Sequence, residues 1–338
     1  MILKRIKDLA YDSLTYGASG LLGQLIGFIL LPLYTQYLTP RDYGILALVI
    51  FIPQFFTPIS SMGITNAIFR RYNFHNDEEK RKSSLFTANL SILITSLLWL
   101  IIGLLFSTEI SIILTNSHEN YHIIRVSFFI AFFTSITSVF YVILRAKRKV
   151  LQLSAIRLVD TFVTISSTIA FVVLLDLGVI GVLFGTLIGK ILALIIQYIS
   201  FFELLKFKMN LEELKALLSY GIPFLPHRLF SYGIVFFTQF LIKEYYGLEQ
   251  SGLFSIALRF IIPLEFFATS VQNAWVPIKF QIHREHKSNA PNILSKLITI
   301  YTLGLLFVFS INLIIGPDLL ILMTEDTFNE AIYYFPFA

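Results

Sequence analysis

Six ionisable side chains lie inside long apolar stretches of the sequence, where they are the residues best placed to do chemistry. They are Asp160, Lys190, His227, Arg228, Arg259 and Glu265. A charged group within a bilayer costs several kcal/mol unless it faces a cavity or a partner. Each residue is therefore a candidate for binding a charged ligand or for coupling to an ion or a proton.

Lys190 is the strongest single candidate. It follows about twelve residues of the apolar run 178–202, which places it near the bilayer centre and too deep to reach either surface. An ammonium at this depth suits an anionic ligand such as a phosphate. The alternative is a structural ion pair with Asp160 or Glu265, and the sequence leaves both readings open.

Arg228 and His227 follow two prolines at the start of another apolar run. Pro223 and Pro226 should kink or open the first turns of that helix and free backbone carbonyls toward a cleft. Arg228 is as well placed to line such a cleft as to pack against a neighbouring helix. His227 could couple to protons, although a lone histidine more often packs.

The remaining candidates lie closer to helix ends or to one another. Arg259 is shallow enough to extend to the membrane surface. Glu265 lies six residues further on, about 240° around a helix, so it needs a different partner, a proton or the cavity. Asp160 lies three residues after Arg157, and an interfacial pair between these two is the favoured explanation.

Transmembrane helices are the elements that must position these residues. The chain has 338 residues, of which 56% are hydrophobic and 14% are charged, and its mean hydropathy is +0.76. This composition excludes a water-soluble protein, and apolar runs of about 20 residues recur along the chain. The absence of cysteine excludes disulfides, thiolate metal sites and cysteine nucleophiles. The predicted fold class is an all-α integral membrane bundle.

The apolar runs predict nine spans, followed by the start of a tenth helix at Ala331 to Ala338. The nine spans cover residues 13–38, 44–68, 85–106, 123–144, 155–175, 178–202, 217–242, 252–274 and 296–316. Of the 26 lysines and arginines, twenty lie in connections or at span ends on one side of the membrane, and three (Arg41, Arg125 and Lys243) lie so on the other. The remaining three, Lys190, Arg228 and Arg259, lie deeper inside spans. Because basic loops stay in the cytoplasm, this asymmetry predicts a cytoplasmic N-terminus. It also explains the net charge of +5 without nucleic-acid binding.

Short strings in the first spans return in the same order about two hundred residues later. LTYG at 14–17 becomes LSYG at 218–221, and YTQYL at 34–38 becomes FTQFL at 237–241. Six spans separate the copies, so both face the same way. We therefore expect two parallel-repeat lobes of six helices. The first lobe is residues 1–208 with helices 1–6, and the second is residues 209–338 with helices 7–9 and the start of a tenth, an incomplete set.

Four motifs resemble the polysaccharide, or O-antigen, flippases of the MATE-like multidrug/oligosaccharidyl-lipid/polysaccharide exporter superfamily. They are LPLYTQYLTPRDYG at 31–44, GITNAIFR at 63–70, YGIPFLP at 220–226 and GLFSIA at 252–257. Relatives usually carry an acidic and a basic residue late in the seventh helix, where this chain has Thr238 and Gln239. That departure puts a charge-coupled role there in doubt. Relatives also have about twelve to fourteen helices, so the resemblance implies a chain truncated at its C-terminal end.

The resemblance implies a transporter that flips undecaprenyl-pyrophosphate-linked oligosaccharide across the bacterial inner membrane by alternating access, for O-antigen, lipopolysaccharide or capsular polysaccharide biosynthesis. It implies no enzyme activity, no metal and no cofactor beyond ion or proton coupling. The expected partners are the anionic lipid-linked oligosaccharide, membrane lipids and a polysaccharide polymerase or other assembly proteins. The expected substrate-binding residues are Lys190, Arg228, Arg259, Glu265 and His227.

Two other functions remain in competition. A MATE-like drug or cation exporter would favour an acidic lumen. Here three intramembrane cations outnumber two intramembrane carboxylates. A membrane-embedded glycan transferase or polymerase should carry a large loop with clustered carboxylates or histidines. The longest loops hold only Asp77-Glu78-Glu79 and His283-Arg284-Glu285-His286, and neither has the spacing of a metal site.

Overall fold

The computed structural model describes residues 28–74, 77–147, 149–201, 208–262, 264–265, 267–268, 271 and 290–337. Within these ranges the chain is almost entirely helical and has no β-strand, which confirms the predicted all-α class. The chain divides into two compact units, residues 37–252 and residues 1–36 together with 253–338. The predicted lobes, 1–208 and 209–338, stay a prediction.

The helices are numbered here in chain order over the described ranges. They are α1 (Leu31–Tyr37), α2 (Pro40–Val49), α3 (Phe51–Ser61), α4 (Ile64–Phe74), α5 (Glu78–Leu105), α6 (Ser107–Thr115), α7 (Tyr121–Ala146), α8 (Val150–Ile169), α9 (Gly178–Phe201), α10 (Leu211–Gly221), α11 (Leu225–Tyr246), α12 (Leu248–Arg259) and α13 (Ala290–Met323).

Six helical segments of the described residues are long and apolar enough to cross a membrane. They are Pro40–Ser61, Glu78–Leu105, Tyr121–Ala146, Val150–Leu174, Gly178–Phe201 and Leu294–Met323. These segments match the predicted spans 2 to 6 and 9. The predicted first span before residue 28 and most of the eighth beyond residue 262 lie outside the described residues.

Three predicted helices differ from the structure. The second span was predicted to run unbroken to residue 68, but its helix ends at Ser61 because Met62 and Gly63 adopt left-handed φ angles of 44° and 70°. The seventh span is interrupted by the 3₁₀ turn Ile222–Phe224, where the two prolines were expected to disturb it. The stretch predicted to start a tenth α-helix lies instead in a 3₁₀ helix, Asp326–Phe337.

Side-chain caps set where several helices begin. Thr39 accepts a hydrogen bond from the Asp42 N–H, and the Asp42 carboxylate accepts one from the Thr39 N–H, which forms a capping box at the start of α2. Asn210 caps α10 by accepting hydrogen bonds from two backbone N–H groups of its first turn. Both caps end a connection and start the next helix at a defined residue.

Helix α7 lies at the centre of the unit formed by residues 37–252. It packs against α3, α5 and α9, and its buried side chains include Ile124, Val139, Phe140 and Leu144. Helices α8 and α9 form an antiparallel hairpin, because Asp176 and Gly178 both take left-handed φ angles in the short turn between them. This hairpin brings the middle of α8 beside the middle of α9.

Candidate functional site

Lys190 and Asp160 form an ion pair between the middles of α9 and α8. The Lys190 ammonium donates to Asp160 Oδ2 over 2.6 Å. The Asp160 side chain is 9% exposed and that of Lys190 is 26% exposed, so both charged groups are largely buried between helices. The structure therefore contains the ion pair that the sequence left open, and a substrate-binding role for Lys190 stays a prediction.

A glycine on α9 makes this pair possible. A Cβ atom on Gly189 would overlap the Thr164 hydroxyl and lie 3.0 Å from Asp160 Oδ1. A Cβ atom on Gly185, four residues earlier, would overlap Thr168, and one on Gly181, eight residues earlier, would lie 3.1 Å from the backbone of Phe171, just beyond α8. Small residues at this spacing let two membrane helices approach closely. The glycine stripe thus holds α9 against α8 at the level of the charged pair.

The predicted pair between Asp160 and Arg157 is wrong. The Arg157 guanidinium lies over the ring of Tyr141 on α7, 5.4 Å from its centroid, while Asp160 accepts its hydrogen bond from Lys190. The three-residue spacing within α8 would allow the predicted contact, but the close packing of α9 supplies a nearer cation. Arg157 is left to form a cation–π contact with the neighbouring helix.

Arg228 lies in the first turn of α11 and contacts α4. Its Nη2 donates to the side-chain oxygen of Asn66 over 3.1 Å. The partner is a neutral amide, so this contact positions the guanidinium without neutralising its charge. His227 is exposed, and its backbone carbonyl accepts from the Ser231 hydroxyl. Within residues 37–252 the predicted candidates Lys190 and Arg228 therefore have different partners on different helices.

Arg259 and Glu265 belong to the other compact unit. Arg259 is the last residue of α12 and is half-buried. The Glu265 side chain is exposed, and its backbone N–H donates to the Ile261 carbonyl over 3.0 Å. Their predicted role in binding substrate stays a prediction.

The contact between α4 and α10 is a further candidate site, which no sequence pattern indicates. Arg71 makes a two-pronged ion pair with Glu213, with Nε–Oε1 and Nη2–Oε2 distances of 2.8 and 2.9 Å. The hydrogen bond from Arg71 to Glu213 raises the pKa of Arg71 above its usual value. The neighbouring guanidinium of Arg70 lies 4.6 Å from the centroid of the Tyr220 ring. Two arginines near the end of α4 thus face the α10 helix.

A cavity of about 160 Å³ opens between these two helices. It is lined by Ala67, Arg70, Arg71, Ala216, Leu217 and Tyr220. At one end of the same interface the backbones of Gly63 and Gly221 are so close that a Cβ atom on either would overlap the other. The glycine contact therefore lies at one end of this interface and the Arg71–Glu213 ion pair at the other.

Lys243, which the loop pattern placed in a connection, is a buried residue of α11. Its side chain has no exposed surface. The ammonium donates to the Ile113 carbonyl in the last turn of α6 over 2.7 Å, pairs with Glu244 and lies over the Phe240 ring. A cation at a helix C-terminus is favourable. The sequence signal that could have indicated this role is the position of Lys243 four residues before Gly247, at the end of an apolar helix.

Position 239, where the resemblance predicted a departure from related proteins, is also occupied by a buried polar side chain. Gln239 is 2% exposed, and its amide oxygen accepts from the Ser251 hydroxyl over 2.8 Å. Thr238 is exposed and donates to the Ile234 carbonyl of its own helix. Neither residue brings a charge to this part of α11.

Several solved structures share this fold. The inward-facing conformation of a multidrug resistance MATE family transporter of the MOP superfamily is 17% identical, with a TM-score of 0.69 over 92% of this chain and 75% of that one. The MATE multidrug transporter DinF-BH is 15% identical, with a TM-score of 0.65 over 88% and 71%. A MOP superfamily transporter from Pyrococcus furiosus is 17% identical, with a TM-score of 0.60 over 98% and 76%.

Sequence comparison identifies the family more narrowly than the fold does. The model of the family described as "Polysaccharide biosynthesis protein" matches residues 9–283. No curated protein matches the chain. The chain is a multi-pass membrane protein with the fold of MATE transporters, and it belongs to the polysaccharide biosynthesis protein family.

Proposed function

We propose that the protein flips undecaprenyl-pyrophosphate-linked oligosaccharide from the cytoplasmic to the periplasmic leaflet of the bacterial inner membrane, by alternating access and with its N-terminus in the cytoplasm. Membership of the polysaccharide biosynthesis family and the MATE transporter fold support this function. The products would serve O-antigen or capsular polysaccharide synthesis. A polysaccharide polymerase that takes the flipped lipid would be the natural partner.

The hydrogen bond between Arg228 and Asn66 is the observation that carries the proposal. A half-buried guanidinium held by a neutral amide keeps its charge available for an anionic ligand. It lies where the 3₁₀ turn Ile222–Phe224 interrupts the helical path before α11. A diphosphate offers the oxygens that a guanidinium binds in a forked geometry.

Lys190 contributes less to this proposal than its depth suggested. Its ammonium is already neutralised by Asp160, and this pair lies at the middle of two helices that are long and apolar enough to cross a membrane. A diphosphate that separated the pair would leave the Asp160 carboxylate as an unpaired charge within the membrane. We therefore assign the substrate contact within the membrane to Arg228. Lys190 becomes a residue that holds α8 and α9 together.

A drug or cation exporter is the main alternative, and the MATE multidrug transporters of similar fold favour it. For the Pyrococcus furiosus transporter, a binding pocket of reverse polarity suggests a different function. In this chain Arg228, whose hydrogen-bond partner Asn66 is neutral, would give a substrate pocket positive charge. Among the described residues no three His, Cys, Asp or Glu side chains could hold a metal, and the stretch His283 to His286 lies outside them.

The test is a gene deletion complemented with the full-length protein or its variants. Lipid-linked repeat units on the cytoplasmic leaflet are measured by their accessibility to a membrane-impermeant probe. We expect them to accumulate in the deletion strain and with Arg228→Gln, but not with wild type. The control is Arg41→Gln, which removes an exposed arginine at the start of α2. A deletion strain without accumulation would contradict the proposal.

A further inference from the structure

The cavity between α4 and α10 combines two kinds of surface. Ala67, Ala216 and Leu217 give it an apolar floor, while Arg70 and Arg71 bring two guanidinium groups to it. Its last lining residue is a tyrosine, which adds a ring with a hydroxyl that can donate a hydrogen bond. A surface of this kind is complementary to a molecule in which an anionic group is attached to a hydrocarbon chain.

Arg71 presents a binding geometry that a phosphate can share. Its Nε and Nη2 hydrogens both point to one carboxylate, that of Glu213. Guanidinium groups bind carboxylates and phosphates through the same fork. A phosphate oxygen pair could therefore take the place of the two Glu213 oxygens without a change in the direction of the guanidinium.

Arg70 lies beside Arg71 in the cavity lining and is oriented by an aromatic contact. Its guanidinium stacks over the Tyr220 ring, and the side chain is exposed. A cation–π contact orients the group and leaves its hydrogens in the plane to meet an anion. Two adjacent arginines can thus contact two phosphate groups of one diphosphate.

We propose that this cavity is a docking site for the diphosphate group of a polyprenyl-linked substrate, and that the diphosphate displaces Glu213 from Arg71. The inference rests on the proposed function and adds to it a specific site, distinct from Arg228. Displacing Glu213 removes the ion pair that joins α4 to α10. Substrate binding is then coupled to loosening of this helix contact, while the glycine contact between Gly63 and Gly221 serves as the pivot.

The experiment measures binding of undecaprenyl diphosphate to the full-length protein in nanodiscs of zwitterionic lipid. Free inorganic diphosphate is the second ligand and separates a lipid site from a general anion site. Arg71→Gln and Glu213→Gln both break the same ion pair, so a purely structural effect should be the same in both. Lys80→Gln and Arg41→Gln are exposed charge controls that do not line the cavity.

We expect the two ion-pair variants to change lipid affinity in opposite directions. Arg71→Gln and Arg70→Gln should bind the lipid roughly tenfold more weakly, because each loses a charge-assisted hydrogen bond. Glu213→Gln should bind it more tightly, because the competing carboxylate charge is removed. Free diphosphate should bind more weakly than the lipid, since it makes no contact with the apolar floor.

Three outcomes overturn the inference. If wild type binds the lipid and flips it while all three cavity variants bind like wild type, the docking site is refuted and the proposed function survives. If Arg71→Gln and Glu213→Gln weaken binding equally, the pair is only structural. If wild type binds no lipid diphosphate at all, the docking site and the proposed function fail together.

Discussion

The Lys190 ammonium on α9 donates to the Asp160 carboxylate on α8 over 2.6 Å, at the middle of two helices that are long and apolar enough to cross the membrane. Neither charge alone is compatible with an apolar environment at low cost, and together they form a neutral pair. The glycine stripe on α9 is what brings them within reach.

Replacing one residue of the Lys190–Asp160 pair should lower stability more than replacing both. We expect Asp160→Asn or Lys190→Met alone to lower stability by about 3 kcal/mol, because each leaves a buried charge without its partner. The double variant should lose less than either single variant. Thermal unfolding of the purified protein in detergent measures this, and a double variant that loses the sum of both single losses would contradict the pairing.

The same double variant separates structure from substrate binding. Since the charge of Lys190 is already neutralised, we expect the double variant to retain lipid flipping close to the wild-type level. Leaflet accessibility of lipid-linked repeat units is the readout. If the double variant folds but does not transport the lipid, Lys190 is a substrate-binding residue after all.

Adding a methyl group at Gly189 should loosen the α8–α9 contact. The new Cβ would overlap the Thr164 hydroxyl and crowd Asp160, so we expect a loss of about 1–3 kcal/mol, typical of overpacking. Gly233→Ala in α11 is the matched control, because its nearest neighbouring atom would be 3.9 Å away. Alanine is the better helix former, so the control should keep or slightly raise the unfolding temperature.

Asn66 should act as a positioning residue for Arg228. Asn66→Ala removes the hydrogen bond of 3.1 Å but leaves the guanidinium charge in place. We expect it to raise the apparent KM for the lipid-linked substrate severalfold with a smaller change in the maximal rate. Arg228→Gln should impair both parameters, and equal effects of the two variants would argue that the Arg228 charge is not the binding group.

Lys243 should stabilise the end of α6. Lys243→Met removes the hydrogen bond to the Ile113 carbonyl and leaves that acceptor without its partner, which typically costs about 1–3 kcal/mol. Lys80→Met, at an exposed position of α5, provides the control. If both lysine variants unfold at the same temperature, the hydrogen bond from Lys243 to Ile113 contributes nothing to stability.

Run length and composition were sufficient to predict where most membrane helices lie. The spans 85–106, 123–144, 155–175 and 178–202 were predicted from apolar length alone, and each coincides with a helix of the structure. Length does not show a break inside an apolar run. The left-handed residues Met62 and Gly63 were therefore missed, although the prolines at 223 and 226 did signal the break before α11.

Side-chain partners between helices were harder to predict. Asp160 was assigned to Arg157 by spacing within one helix, whereas packing against α9 gave it Lys190. The spacing of Gly181, Gly185 and Gly189 was the available signal, because small residues every four positions mark a close helix contact. The Arg71–Glu213 pair joins residues 142 positions apart, and no local pattern in the sequence indicates such a contact.

Transport of a lipid-linked oligosaccharide by the purified full-length protein is the decisive test of the proposed flippase function. Proteoliposomes would carry a fluorescent undecaprenyl-diphosphate-linked oligosaccharide, and a membrane-impermeant quencher would report the leaflet it occupies. We predict that wild type moves the lipid between leaflets, that Arg228→Gln moves it much more slowly, and that a cationic dye is not transported. Transport of the dye without movement of the lipid would contradict the account.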